Sequence, residues 1–261
     1  MPPACHAQSV PFCSAQVVSI YSALDIWKET GFNLNLAPIV GAFEGVGYGE
    51  AVGKMILREG LDIPASEELL NTVRSVADAY PNSADAALDL LATIQRCNLE
   101  PGFRSISHPS KKYSAQAAAF QLNIPITAHL IFGHDIIYTH PVSYGAAIGR
   151  VALRDFLTCA EQVHQLEGGV YLSVGSAVMS PMVFEQSLSL SQNLELHEGR
   201  KITKHYMVIV DLAESTWDWQ RDGEPPADNP TYYLRFCKTF SRMGGRCVKS
   251  SPITAISYLL H

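Results

Sequence analysis

Short apolar runs that alternate with amphipathic stretches of ten or more residues constrain this chain more than any other feature. Residues 124–132, 169–174, 205–212 and 246–249 read as strands, and residues 145–166, 180–194 and 229–243 carry the helical period between them. A tight hairpin turn cannot bridge such spacings. Strands joined through crossover helices run parallel, and a parallel sheet is covered on both faces. The expected fold class is therefore α/β, with a parallel sheet between layers of helices.

The part before this pattern reads differently. Residues 16–30 place Val17, Ile20, Tyr21, Leu24 and Trp27 on one helical face between Ser14 and Gly31. Residues 33–40 read as a short strand that runs into a glycine series, Gly41, Gly45, Gly47, Gly49 and Gly53, and then into a helix ending near Arg58. Helices over 66–80 and 83–97 open on serine caps with acids in the first turn. Residues 99–112 read as a polar loop, 114–122 as an alanine-rich helix and 252–261 as a closing helix. No Pro/Ser-rich linker interrupts the chain, so the expectation is one α/β domain over 1–261, mostly helical at 1–112 and regularly β/α at 113–261.

Hydrophobic residues make up 47% of the 261 positions and charged residues 17%, which implies a large core together with a buried subunit interface. A homo-oligomer, dimer or tetramer, is expected. The net charge of −6, with no basic cluster longer than Lys111-Lys112, supplies no footprint for a phosphate backbone and argues against nucleic acid. Without an apolar run of about eighteen residues, or a basic stretch and apolar core at the start, membrane insertion and secretion are both disfavoured. The six scattered cysteines, with no C-x-x-C pair, fit reduced thiols in a cytoplasmic protein.

In an open parallel sheet, ligands bind where strands end and the chain turns into the next helix. Gly133-His134-Asp135 follows the first apolar run, with His129 and His140 close by in sequence; His134 and Asp135 suit proton transfer, or else cap helices and satisfy loop backbone. The spacing of these histidines does not make a simple metal site, because His129 and His134 face opposite sides of a strand and are not helical neighbours. Gly175-Ser176 stands between a strand and a helix N-terminus, where free N–H groups and the helix dipole favour an anion. Asp211 opens a long polar segment with Glu214, Trp217 and Trp219, which reads as a lid, a binding loop or a subunit arm. The glycine series matches neither G-x-G-x-x-G nor G-x-x-x-x-G-K-[ST], and close helix packing explains it about as well as a cofactor does.

The order of Asn123-Ile124-Pro125-Ile126-Thr127-Ala128-His129, Gly133-His134-Asp135-Ile136-Ile137, His140-Pro141, Gly145-Ala146-Ala147-Ile148-Gly149, Leu153-Arg154-Asp155-Phe156, Gly168-Gly169-Val170-Tyr171-Leu172 and Val174-Gly175-Ser176-Ala177-Val178 resembles the deoxyhypusine synthase-like family, especially its bacterial members. The likeness covers residues 114–190 well and the rest loosely. It implies a Rossmann-like three-layer sandwich of the NAD/FAD-binding type, a homotetramer with sites at subunit interfaces, and NAD as cofactor. It also implies Gly133, His134, Asp135, Asp211 and Glu214 as ligand contacts. In the synthases a lysine in a G-G-G-V-V-K-H-H stretch carries an aminobutyl group as an imine, and Met179 stands at that position here. A thioether has no nucleophilic amine, so the covalent step has no carrier there. The function expected is binding of NAD or a related small nucleotide at the strand ends through Gly133, Gly175, Ser176, Asp211 and Glu214, with His134 and Asp135 as the acid/base pair. The alternatives are a non-catalytic oligomeric scaffold of the same fold and, with less support, a metal-dependent hydrolase.

Overall fold

The computed structural model describes residues 31–76, 81–211 and 215–250, and the chain separates into two compact units, 1–155 and 156–261. The expected helices over 16–30 and 252–261 lie outside the described residues.

The first unit is helical. It runs through α1 (Phe32–Glu44), α2 (Tyr48–Arg58), β1 (Gly60–Ile63), α3 (Ser66–Val76), α4 (Pro81–Cys97), β2 (Gly102–Ser105), α5 (Ala115–Gln121) and the start of α6 (Gly145–His164). Its only described sheet is the antiparallel pair β1–β2, with Gly60 opposite Ser105 and Ile63 opposite Gly102. Leu36, Ile39, Met55, Leu69 and Leu90 are buried almost completely in one cluster, each worth about 1.5–3 kcal/mol of transfer free energy.

Two expected strands are absent from this unit, each for an identifiable reason. Residues 33–40 lie inside α1, where Asn35 through Gly41 are all buried. A helix surrounded by core loses the one-sided apolar stripe and reads like a buried strand. Residues 124–132 pair with no strand among the described residues, because their backbone is bound elsewhere: the Ala128 N–H donates to Asp155 at 2.8 Å. The glycine series turns out to be a packing device. A Cβ on Gly41 would lie 2.6 Å from the Ala51 Cβ, one on Gly49 2.2 Å from the Ile126 carbonyl oxygen, and one on Gly53 2.6 Å from the Gln116 carbonyl oxygen. Only a missing side chain lets these backbones approach so closely.

The second unit contains the regular alternation. After the end of α6 come β3 (Val170–Val174), α7 (Met179–His197), β4 (Tyr206–Val210), α8 (Trp219–Asp222), α9 (Arg235–Phe240) and β5 (Arg246–Ser250). The three strands are parallel in the order β3-β4-β5, with Val170 opposite Tyr206 and Tyr206 opposite Arg246. Phe184 and Leu188 of α7 and Cys237 and Phe240 of α9 pack with Met207 and Ile209 of β4.

This arrangement corrects the expected three-layer Rossmann-like sandwich. The helix-facing side chains Tyr171, Ser173, Met207 and Ile209 share one side of the strands, whereas Val170, Leu172 and Val174 on the opposite side of β3 are 64%, 48% and 64% exposed. With three parallel strands and one described layer of helices, the doubly covered sheet is not formed. The fourth strand that was to complete it belongs to the helical unit and is not a strand.

One buried group in this core is chemically uncomfortable. His205 is 3% exposed, packs edge-on to Phe184, and has no partner for either ring nitrogen among the described residues. Burial holds its imidazole below the usual histidine range. The folded form stays neutral while the unfolded chain takes up a proton, so the cost is absent above about pH 6.5 and grows as the pH falls through it. His205→Met removes two unsatisfied buried nitrogens at similar volume and is expected to raise stability at neutral pH by about 1 kcal/mol. It should also shrink the loss between pH 7.5 and 5.5 in urea unfolding; an unchanged loss would mean that His205 does not carry the acid sensitivity.

Candidate functional site

The parallel strands of the second unit bring together the groups with the best claim to bind a ligand. β3 ends at Val174, and the next two residues both adopt left-handed backbone, Gly175 at φ +64° and Ser176 at φ +49°. This turn carries the chain directly from the strand into α7, a helix of 19 residues. Left-handed φ at a non-glycine residue stores strain of order 1 kcal/mol and persists where the surroundings fix it. Here the Gly175 N–H donates to the Val210 carbonyl at 2.8 Å, and the Ser180 N–H donates to the Ser176 Oγ at 3.1 Å.

The rest of the α7 N-terminus is open. Val178 precedes the helix without a side-chain cap and is 54% exposed, and a Cβ added to Gly175 would meet nothing within 4 Å. The N–H groups of Val178 and Met179 precede the first intrahelical bonds, so they lack helical acceptors and lie at the positive end of the dipole. Under this turn, the Ser180 Oγ lies 2.7 Å from both the Tyr171 hydroxyl and the Ser173 Oγ, locking the start of α7 to β3. Tyr171 stacks on Phe184 at 4.1 Å, and burial pushes its phenol up. Sequence reading missed this hydroxyl cluster. Its signal was the polar Ser173 within an apolar strand.

Asp211 directly follows β4 and is buried. Because Val210 pairs with Val174 in register, Asp211 and Gly175 leave neighbouring strands at the same level. Trp217 does not face this opening as a stacking platform. It packs against the second core and donates its Nε1–H to the Gly223 carbonyl at 2.8 Å. Glu214 lies outside the described residues.

Gly133, His134 and Asp135 belong to the first unit and do not stand at a strand end. Gly133 has φ +89°, and His134 is exposed. Asp135 caps a single 3-10 turn, Ile136–Thr139, by accepting the Ile137 N–H at 3.1 Å. The nearby histidines are dispersed: His140 is buried and accepts the Val142 N–H on Nδ1 at 3.2 Å, while His129 is half-buried near Asp155. Burial lowers the pKa of both. Among the described residues no three His, Cys, Asp or Glu side chains converge to hold a metal ion, and no helix is long and apolar enough to cross a membrane.

The first unit holds a titratable group that sequence reading did not single out. Asp155 on α6 is 2% exposed and accepts the Gly49 N–H at 3.0 Å and the Ala128 N–H at 2.8 Å, with the Tyr48 N–H as a third donor. It caps α2 from a distant helix, since Gly47, the residue before α2, has no side chain to do so. Burial pushes its carboxyl up, and the three N–H donors together with His129 partly oppose this. The Tyr48 phenol is pushed up to about 12, by burial first and then by the carboxylates of Asp135 and Asp155 and the Tyr138 phenol. The Asp155 carboxylate is spent on holding α2, the 124–132 segment and α6 together.

No protein-family model matches this sequence, and no curated protein or solved structure does either.

Proposed function

We propose that the chain binds a small phosphate-bearing ligand of the nucleotide class, NAD or a related nucleotide, at the ends of β3 and β4. The observation that carries this reading is the consecutive left-handed pair Gly175-Ser176, which turns a parallel strand into the exposed start of a long helix whose Val178 makes no side-chain cap. A phosphate would accept from the first-turn N–H groups at Val178 and Met179. Asp211, leaving the adjacent strand at the same level, would accept hydrogen bonds from ribose hydroxyls, the use that paired βαβ units make of an acid at the second strand end. Met179 supplies no amine, so the reading is one of binding and not of imine chemistry. His134 and Asp135 are not needed for it.

Thermal unfolding with and without NAD tests this. At one hundred times its dissociation constant the ligand should add about 2.7 kcal/mol, a shift of several degrees for a domain of this size. Val178→Asp places a carboxylate on the anion position. The free protein should hold or gain slightly in midpoint, by about 0.3–1 kcal/mol from the dipole, and the NAD-induced shift should vanish. His134→Ala and Asp135→Ala should leave the shift in place. No shift at millimolar NAD, or an undiminished shift in Val178→Asp, would remove the site.

A further inference from the structure

A cleft of about 900 Å³ opens in the first unit between α1, the end of α4 and the β2 strand with the turn that follows it. We infer that it is a second binding site, distinct from the strand ends, for a small amphipathic carboxylate. Its volume lies within the range that takes drug-sized ligands, and its walls divide by chemistry. Leu34, Met55 and Leu99 offer an apolar surface continuous with the core.

One charged group in the same cleft is left without a partner of opposite charge among the described residues. Arg104 on β2 holds its guanidinium 5.1 Å from the Phe32 ring centroid and forms no ion pair with a carboxylate among the described residues. A guanidinium laid over an aromatic face keeps its edge N–H donors free for a planar anion. His108 completes the polar side; its Nδ1 lies 2.9 Å from the Ile106 carbonyl oxygen, which directs an Nδ1–H there and leaves Nε2 for other contacts. The ligand that matches is anionic at Arg104 and apolar toward Leu34 and Met55. Acylated amino acids have this pattern.

Cys97 lines the cleft as a free thiol of intermediate exposure and serves as a reporter. Native full-length protein is treated with iodoacetamide, and alkylation of the Cys97 peptide is followed by mass spectrometry with millimolar N-acetyl-L-leucine or the uncharged N-acetyl-L-leucinamide present. N-acetyl-L-leucine should slow labelling several-fold, and the amide should protect far less. Arg104→Gln should abolish the difference and Arg104→Lys should restore part of it. Arg104 is exposed, so both variants should keep the parent melting temperature. Equal protection by the two probes, or a preference that survives Arg104→Gln, would overturn the proposed carboxylate recognition. A Cys97 that resists labelling in the native chain with no probe present would show the cleft closed to small molecules at this wall and would overturn the site.

Discussion

Asp155→Ala is expected to lower the unfolding free energy of the first unit by about 3–5 kcal/mol, the range for a buried charged acceptor whose donors are left in place. The carboxylate accepts N–H groups at positions 48, 49 and 128, two of them at the start of α2 and one in a segment with no strand partner. Alanine orphans all three in a pocket where the native residue is 2% exposed. It also removes the negative charge from the positive end of α2. Asp155→Asn keeps one acceptor oxygen but turns an amide N–H₂ toward donors, and it should recover only part of the loss. Denaturant midpoints at constant m-value measure both. A loss under about 1 kcal/mol in Asp155→Ala would mean that water replaces the cap and that Asp155 does not hold the unit together.

Gly49→Ala should also be strongly destabilising, by about 2–4 kcal/mol, although alanine is the better helix former by about 1 kcal/mol. The added methyl would stand 2.2 Å from the Ile126 carbonyl oxygen and 2.7 Å from its carbon. Both obstacles are backbone, and that backbone cannot retreat without pulling the Ala128 N–H away from Asp155. Gly149, in the body of α6, is the control: it is exposed and a Cβ there meets nothing within 4 Å. Gly149→Ala should stabilise by about 0.5–1 kcal/mol. Opposite signs for one substitution in two helices would show that contact, and not helix propensity, governs the glycine series. Equal signs would refute that account.

Much of the second unit could be read from the sequence because its signals are local. The runs that form β3 and β4 are short and apolar, β5 is short and bounded by Gly244-Gly245, and the helical pattern between β3 and β4 fixes a crossover connection. Asn229 caps as its residue type suggests, accepting the Thr231 N–H, although a 3-10 turn and then α9 replace the single helix expected there. Ser114 does the same for α5 by accepting the Ala117 N–H. Gly175, Ser176 and Asp211 fall at strand ends because their positions follow from the ends of these runs.

The first unit resisted reading where burial erased periodicity or contacts spanned long distances. β1 and β2 have four residues each; every residue of β2 is exposed and carries no apolar signal, and the Leu61 and Ile63 alternation of β1 is too short to stand out beside α2. α1 is buried on all sides along its middle and looked like a strand. Asp155 sits in a helical stretch whose local pattern says nothing of a cap on a backbone 106 residues earlier.

What the sequence determined by itself was the alternation of strand and helix in the second unit, its caps and the strand-end position of Gly175, Ser176 and Asp211, since these depend on side chains a few residues apart. Only the tertiary structure decided how many layers those elements build, what the glycines are for, and that Asp155 and the Arg104 cleft exist. Each of these depends on which distant backbones come within contact distance, and no local period encodes that.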